Sequence, residues 1–405
     1  MSKQRIIFFS LFFFISIAQA KNVIFFHPDG NSLSHWALYR IVTVGPDGNS
    51  PWDMLSSQGL YRSHLLNQIS ATSNAGATIH AYGVKAESEA FGLNQQQKIK
   101  SASGFAGSIL HEALKSGKSV ALVQTGHLAE PGTAAFVAQV SQRKNYEEIV
   151  EQVIRSGVQV IMGGGEKFLI PKGVQGRHGL GQREDQKNLI SIAHELGYTV
   201  LYTKDELAEL LKNSKKVSKL LGVFAEDNTY NDLPLEELKN KKLELYNTSA
   251  PTVAEMSELA LKILSQNKKG YLAIVEEEGT DNFSNYQNTP GVIEAGKRSL
   301  AAVQFFQSVL KKEKETTLIV ASDSNAGSPS IVRAKSRDEE TLEAQADSRG
   351  QKFLFKVKWA GKDDFYGGEV IKADGCGKNL LGKQIDNTEV FKIIHQSLFK
   401  TPCQK

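Results

Sequence analysis

The segment Lys21–Gly30, KNVIFFHPDG, runs from a β-rich apolar stretch directly into a carboxylate at Asp29. Two later segments do the same: YLAIVEEEGTD, 271–281, passes through Glu276 to Asp281, and TLIVASDSNAG, 317–327, stops at Asp323. An apolar run of four to six such residues reads as a parallel strand buried on both faces. Ligands of open α/β sheets bind at the carboxyl ends of these strands. Three strand ends that each deliver an acid therefore predict one anionic pocket, and cations are needed there because several carboxylates cannot share a buried site uncompensated.

Strand and helix patterns alternate outward from these segments. SGFAGSILHEALKSG precedes SVALVQTG, NYEEIVEQVIRSG precedes VQVIMGGG, NLISIAHELG precedes YTVLYT, and TVAEMSELALKILSQN precedes YLAIVEEE. This order predicts an α/β protein with three layers, αβα, around a central, mostly parallel sheet. DNTEVFKIIHQSLF reads as a closing amphipathic helix that starts near Asp386 or Asn387. The Lys- and Glu-rich stretch 205–246 is expected to be a charged peripheral insertion, with a substrate-gating lid as the alternative. Otherwise residues 21–405 are expected to form a single catalytic domain, since no Pro- or Gly-rich linker divides them.

Residues 1–20 carry Lys3 and Arg5, then a twelve-residue apolar run from Ile6 to Ile17, then Ala18-Gln19-Ala20. This is the pattern of a cleavable signal peptide, too short to span a bilayer. A periplasmic or secreted location without a membrane anchor is the expectation. Removing the segment lowers the formal net charge from +4 to about +2, which gives no electrostatic reason to expect a nucleic-acid partner. Cys376 and Cys403 are the only cysteines, and in an exported chain they form a plausible disulfide.

Two further segments bear on chemistry. ATSNAGATIHAYGVKA, 71–86, packs small and hydroxylated residues at the start of a predicted helix, where partial positive charge favours anions and an ionised nucleophile. Ser73 or Thr72 is the candidate nucleophile, and an ordinary helix cap is the plainer alternative. TGHLAEPGTAAFVAQVSQRKNY, 125–146, carries Glu130, Thr133 and Arg143, and an arginine there is suited to bidentate phosphate binding. The Gly163–Gly165 run lacks dinucleotide or P-loop spacing and reads as a strand-end turn.

Taken in order, these motifs resemble the alkaline phosphatase family over nearly all of the mature sequence, as a divergent bacterial-type member. KNVIFFHPDGNS resembles the family's opening strand and metal-binding aspartate, and Gly83-Val84-Lys85 its GVK, which places Ser73 on the nucleophilic serine. EPGTAAFVAQVSQR resembles the segment ending in a phosphate-binding arginine, here Arg143. LAIVEEEGTDNFSN resembles the segment that supplies a magnesium-site glutamate and a metal-site aspartate, here Glu276 and Asp281, and VASDSNAG places Asp323 on a further metal aspartate. The resemblance implies an exported phosphomonoesterase that hydrolyses small phosphate esters through a phosphoserine intermediate. It implies two or three divalent ions per chain and admits a homodimer.

The departures are as informative. Where the family uses histidines for zinc, this chain has Asn285, Ser324, and Asp363 or Asp364, and Gly132 stands where the family has a magnesium-site threonine. Glu130, Thr133, Asn285, Ser324 and Asp364 join Asp29, Glu276, Asp281 and Asp323 as candidate metal ligands. Oxygen ligation of this kind favours Mg²⁺, Ca²⁺ or Mn²⁺, with Zn²⁺ the ion an imidazole would suit. Asn74 and Asn282 are candidate phosphate or metal-shell donors. His27, two residues before Asp29, is a lesser ligand candidate, and His80 reads as a packed histidine. Glu277 and Glu278 read as outlying carboxylates. A phosphate- or cation-binding protein without catalysis, or a phosphodiesterase or sulfatase on the same scaffold, are the alternatives.

Overall fold

The computed structural model describes residues 21–214 and 217–400. Its centre is a ten-stranded sheet. In chain order the strands are β1 (Asn22–Pro28), β2 (Ser57–Arg62), β3 (Ser119–His127), β4 (Val160–Gly164), β5 (Thr199–Leu201), β6 (Leu220–Val223), β7 (Tyr271–Glu277), β8 (Thr316–Val320), β9 (Val370–Gly375) and β10 (Gln384–Asp386). Across the sheet they lie β10-β2-β9-β8-β1-β7-β3-β4-β6-β5. Only β9 runs against its neighbours; the pairings of β1 with β7 and β8, and of β3 with β7 and β4, are parallel. The mostly parallel three-layer αβα architecture expected from the strand-helix alternation is therefore present.

The apolar runs are buried on both faces, and their period of two sends alternate residues into two separate cores. Val23 and Phe25 of β1, Leu272 and Ile274 of β7, and Val120 and Leu122 of β3 join the first. Ile24, Phe26, Ala273, Val275, Ala121 and Val123 join the second. Helices Ser73–Tyr82, Ile109–Lys115, Tyr146–Arg155 and Thr388–Phe399 cover the first face, and Leu33–Thr43, Val253–Leu264 and Thr289–Lys312 the second. A separate three-stranded antiparallel sheet, Pro329–Arg333, Leu342–Glu343 and Leu354–Trp359, follows β8.

One expectation needs correction. The stretch 205–246 is not wholly a peripheral insertion, because β6 lies inside it, fully buried and paired with both β4 and β5. Its four residues, LLGV, are a short apolar run between charged neighbours, and the surrounding lysines and glutamates obscured a strand that only pairing reveals. Helix Leu235–Lys241, in contrast, carries the exposed charge expected of that stretch. The expected signal peptide and Cys403, the partner expected for Cys376, lie outside the described residues.

Helix Leu33–Thr43 is tied to the short helix Gly279–Asn285 by a histidine that must stay neutral. The Ser32 backbone N–H donates to His35 Nδ1 at 3.1 Å, so that nitrogen is an acceptor. Nε2 then carries the proton and meets Ser284 Oγ at 3.1 Å, whose own proton goes to the Thr280 carbonyl. Burial pushes His35 down to about 3 from an ordinary 6.5, while a backbone contact with Ala326 acts the other way. Between pH 6.5 and 3 the unfolded chain thus binds a proton that the folded chain refuses, and stability from this histidine is lost as pH falls through that window. In urea melts, wild type should exceed His35→Asn in stability at pH 7, and the gap should narrow steadily as pH falls from 6.5 towards 3.

Candidate active site

Strands β8, β1, β7 and β3 are neighbours and run parallel, so their carboxyl ends open on the same edge of the sheet. Asp29 follows β1, Glu276 is the penultimate residue of β7, and Asp323 lies three residues past the end of β8. In register, His27 of β1 stands beside Glu276 of β7, which stands beside Gln124 of β3. Asp281 arrives on the short helix Gly279–Asn285 that follows β7. The strands thus bring together the four acids that the sequence had placed at strand ends.

Asp29, Glu276, Glu278, Asp281 and Asp323 are all buried, Asp281 being the most exposed at 6%. Within this cluster Asp29 Oδ2, both oxygens of Glu276, Glu278 Oε2, Asp281 Oδ1 and Asp323 Oδ2 have no hydrogen-bond partner, and neither do Thr133 Oγ1 and Asn285 Oδ1. An unmatched buried acceptor costs about 1–3 kcal/mol, and more if charged. So dense a set of unmatched oxygens fits divalent cations of the hard kind. Burial first, then the neighbouring carboxylates, push Asp29, Glu278 and Asp281 well above the ordinary carboxylate range. Two groups of ligand atoms each lie within 4.8 Å of one another: His27, Asp29 and Asp323, and Asp29, Glu276 and Glu278.

Ser73 is the first residue of helix Ser73–Tyr82 and is 5% exposed. Thr72, the other nucleophile candidate, occupies the cap position and commits its hydroxyl to the Ser88 carbonyl at 2.8 Å. One turn beyond Ser73, Gly76 lies against Asp323: a Cβ there would stand 2.5 Å from Asp323 Cβ. Any side chain at 76 would push the serine's helix off the acid cluster. Asn74 needs correction as a substrate-binding residue. Its amide donates to the carbonyls of Ser88 and Ala90, at 2.8 and 2.9 Å, so both of its N–H groups hold the following loop. His80 is a packed histidine, bonded to the Tyr61 hydroxyl and edge-on to Phe25 and His27.

Arg143 keeps 41% of its side chain exposed and donates through Nη2 to Glu130 Oε2 at 3.2 Å. The other Glu130 oxygen lies 3.0 Å from His127 Nε2. Burial would raise the Glu130 pKa, but His127 and Arg143 hold it down at about 2. Glu130 therefore stays ionised and orients the arginine. The remaining candidates fall into place around the acids: Asn285 donates to Asp281 Oδ2 at 2.8 Å, and Ser324 donates to Asp364 Oδ1 at 3.0 Å. Of the two late aspartates it is Asp364 that approaches the site, pushed up to about 7 by burial and by Asp323, whereas Asp363 is exposed. With its amide oxygen accepting from the Tyr230 hydroxyl, Asn282 donates to Asp281 Oδ2 and Glu278 Oε1, each at 3.2 Å.

His27 and Glu278 are more central than the sequence suggested, so the site is not purely oxygen. His27 Nδ1 faces Glu276 Oε1 at 3.4 Å, while Nε2 faces Asp323 Oδ1 at 3.4 Å and Asp29 Oδ1 at 3.7 Å. The signal was the spacing of two between His27 and Asp29, and between Glu276 and Glu278, with the first of each pair in a strand and the second one residue past its end. Gly132 completes this arrangement: a Cβ there would overlap Glu276 Oε1 and come within 2.6 Å of His27 Nδ1. Gly132→Ala is accordingly expected to displace Glu276 and weaken divalent-ion binding by about 10–100-fold, as read by calorimetric titration of stripped protein with Mg²⁺; unchanged affinity would contradict that packing argument.

The profile of the family described as alkaline phosphatase matches residues 20–355. Alkaline phosphatase 4 of Bacillus subtilis (strain 168) is 26% identical over 325 residues, covering 76% of this chain and 62% of that protein. The alkaline phosphatase of Gadus morhua is 28% identical over 296 residues, covering 64% and 59%, and that of Escherichia coli (strain K12) is 27% identical over 348 residues, covering 76% and 71%. The chain thus spans about three fifths of the length of the first two. The solved alkaline phosphatase of the Antarctic bacterium TAB5 superposes with a TM-score of 0.75 at 19% identity, over 94% of this chain and 98% of that one. The Thermus thermophilus alkaline phosphatase does so at 0.76 and 18%, over 96% and 94%, so the fold is shared. With a family profile matched over most of its length, this chain belongs to the alkaline phosphatase family.

Proposed function

We propose that the chain is an exported, divalent-metal-dependent phosphomonoesterase that works through a phosphoserine on Ser73. The observation that carries this reading is the convergence of one unpaired set of buried carboxylate oxygens, a serine at a helix start, and an arginine held at the rim by Glu130. The residues that fit the ions are Asp29, Glu276, Asp281 and Asp323, with Asn285, Ser324, Asp364 and Thr133 around them. Bound divalent ions would supply the positive charge that favours an ionised serine and neutralises a departing alkoxide.

The chain's own groups account for the rest. Ser73 gives up its hydroxyl proton to solvent and its Oγ attacks phosphorus as the bond to the ester oxygen breaks, and the alcohol leaves with a proton from solvent. A water then attacks phosphorus opposite the Ser73 oxygen and loses a proton to solvent as the bond to Ser73 Oγ breaks; inorganic phosphate leaves and the serine regains a proton from solvent. The first-turn amides of helix Ser73–Tyr82 lack intrahelical acceptors and lie where negative charge gathers. Arg143 spends one N–H on Glu130 and keeps the others for two equatorial phosphate oxygens. Mg²⁺ is the ion a largely carboxylate site suits, with Mn²⁺ and Ca²⁺ close behind. A variant of the TAB5 enzyme has been solved with Mg bound. His27 is the one nitrogen donor among these acids, so Zn²⁺ belongs in the assay too.

The test is turnover of a chromogenic phosphomonoester by chelator-stripped protein given Mg²⁺, Mn²⁺, Ca²⁺ or Zn²⁺ singly. Mg²⁺ or Mn²⁺ is expected to restore activity, and Ser73→Ala to lower kcat by about 10⁴ or more. Arg143→Ala should cost about 10²–10³ in kcat/KM. No turnover with any ion would overturn the enzyme reading, and full activity in Ser73→Ala would overturn the phosphoserine.

A further inference from the structure

We propose that Glu278 is a metal ligand, forming with Asp29 and Glu276 a three-carboxylate site for a hard divalent cation of the Mg²⁺ class. The proposal rests on the metal-dependent reading above and adds to it a ligand that the resemblance does not supply.

The three glutamates at the end of β7 have different fates. Glu277 faces the second core, where Arg298 grips it through Nε and Nη2 at 3.2 and 3.0 Å and Thr125 Oγ1 donates at 3.1 Å. Its charge is accounted for by the fold. Glu276 and Glu278, two residues apart, face Asp29 instead, with one ligand atom from each of the three within 4.8 Å of the others. All three side chains are at most 1% exposed.

The hydrogen bonds around them have a directional pattern. Asp29 Oδ1 accepts from the Gly30 amide at 2.8 Å while Oδ2 has no partner. Glu278 Oε1 is within 3.2 Å of the Asn282 amide while Oε2 has none. The Glu278 backbone is pinned in turn, its N–H donating to Thr125 Oγ1 at 3.0 Å. Asp29 and Glu278 are thus each anchored by one oxygen and present the other, which is how surrounding donors orient ligands on an ion, while both oxygens of Glu276 are without a hydrogen-bond partner. Among the described residues no cation pairs with Glu278, the carboxylate the proposal adds. Arg143 is bonded to Glu130, and His27 lies beside Glu276 and Asp323.

Position 132 leaves the third ligand to the residue that follows β7. With His27 and Glu276 filling the space beside Gly132, no side chain can project from there. Glu278 supplies the missing oxygen.

The experiment uses the full chain, stripped with EDTA, as wild type, Glu278→Gln and Glu278→Asp, with near-UV circular dichroism reporting folding. Mg²⁺ is titrated calorimetrically and Mn²⁺ by electron paramagnetic resonance, both without substrate. Glu278→Gln should bind one ion fewer per chain than wild type, or bind it about 10–100-fold more weakly, and Glu278→Asp should fall between. Identical stoichiometry and affinity in the Gln variant would overturn the proposal. Should that variant not fold, Glu278→Asp decides alone, and wild-type affinity there would overturn it. If wild type binds ions and turns over substrate while both variants bind as it does, only the Glu278 assignment fails. If wild type turns over substrate without binding any ion, the metal-dependent reading fails as well.

Discussion

Mutual repulsion among the carboxylates gathered at one edge of the sheet is the constraint on which the candidate site depends. Asp29, Glu276, Glu278, Asp281 and Asp323 are brought together because β8, β1 and β7 are adjacent and parallel, so their ends cannot avoid one another. Burial removes the water that would screen them. His27 offsets part of that charge, lying beside Glu276, Asp323 and Asp29. Amides of Gly30, Asn282 and Asn285 each take one oxygen of an acid, and other oxygens are left open towards the centre.

The same chemistry is handled differently a few ångströms away, where the fold satisfies a charge outright. Glu277 and Arg298 form a buried bidentate pair, with the guanidinium also 4.2 Å from the Tyr246 ring centroid. Removing either partner would strand a buried charge, a loss of about 3–5 kcal/mol. Glu130 is satisfied from both sides by His127 and Arg143. Acids with matched partners thus frame the acids without them.

Much of this was legible in the chain. The strands are apolar runs with β-branched and aromatic residues, and the helices between them carry ordinary amphipathic spacing; their order predicts the parallel sheet. Asp29, Asp281 and Asp323 declared themselves by ending such runs. β6 did not, because four apolar residues among lysines and glutamates carry too little periodic signal. Asn74 misled for a different reason: beside a candidate nucleophile it has the right chemistry, but the loop at Ser88 and Ala90 consumes its donors. His27 and Glu278 were undervalued because their importance lies in what stands across the strand from them.

The sequence by itself determined which residues end the strands, that three of those ends are acidic, and that a serine opens a helix while an arginine follows a small-residue turn. These are local properties, set by apolar periodicity and by residue chemistry along a few neighbouring positions. Only the tertiary structure decided which acids share a cavity and which are neutralised, since that depends on register between strands hundreds of residues apart. It aligned His27 with Glu276, filled the space at Gly132, turned Glu277 to Arg298, and left Glu278 facing Asp29. The physical reason is that charge compensation in a buried site is a property of distances between segments, and no single segment contains them.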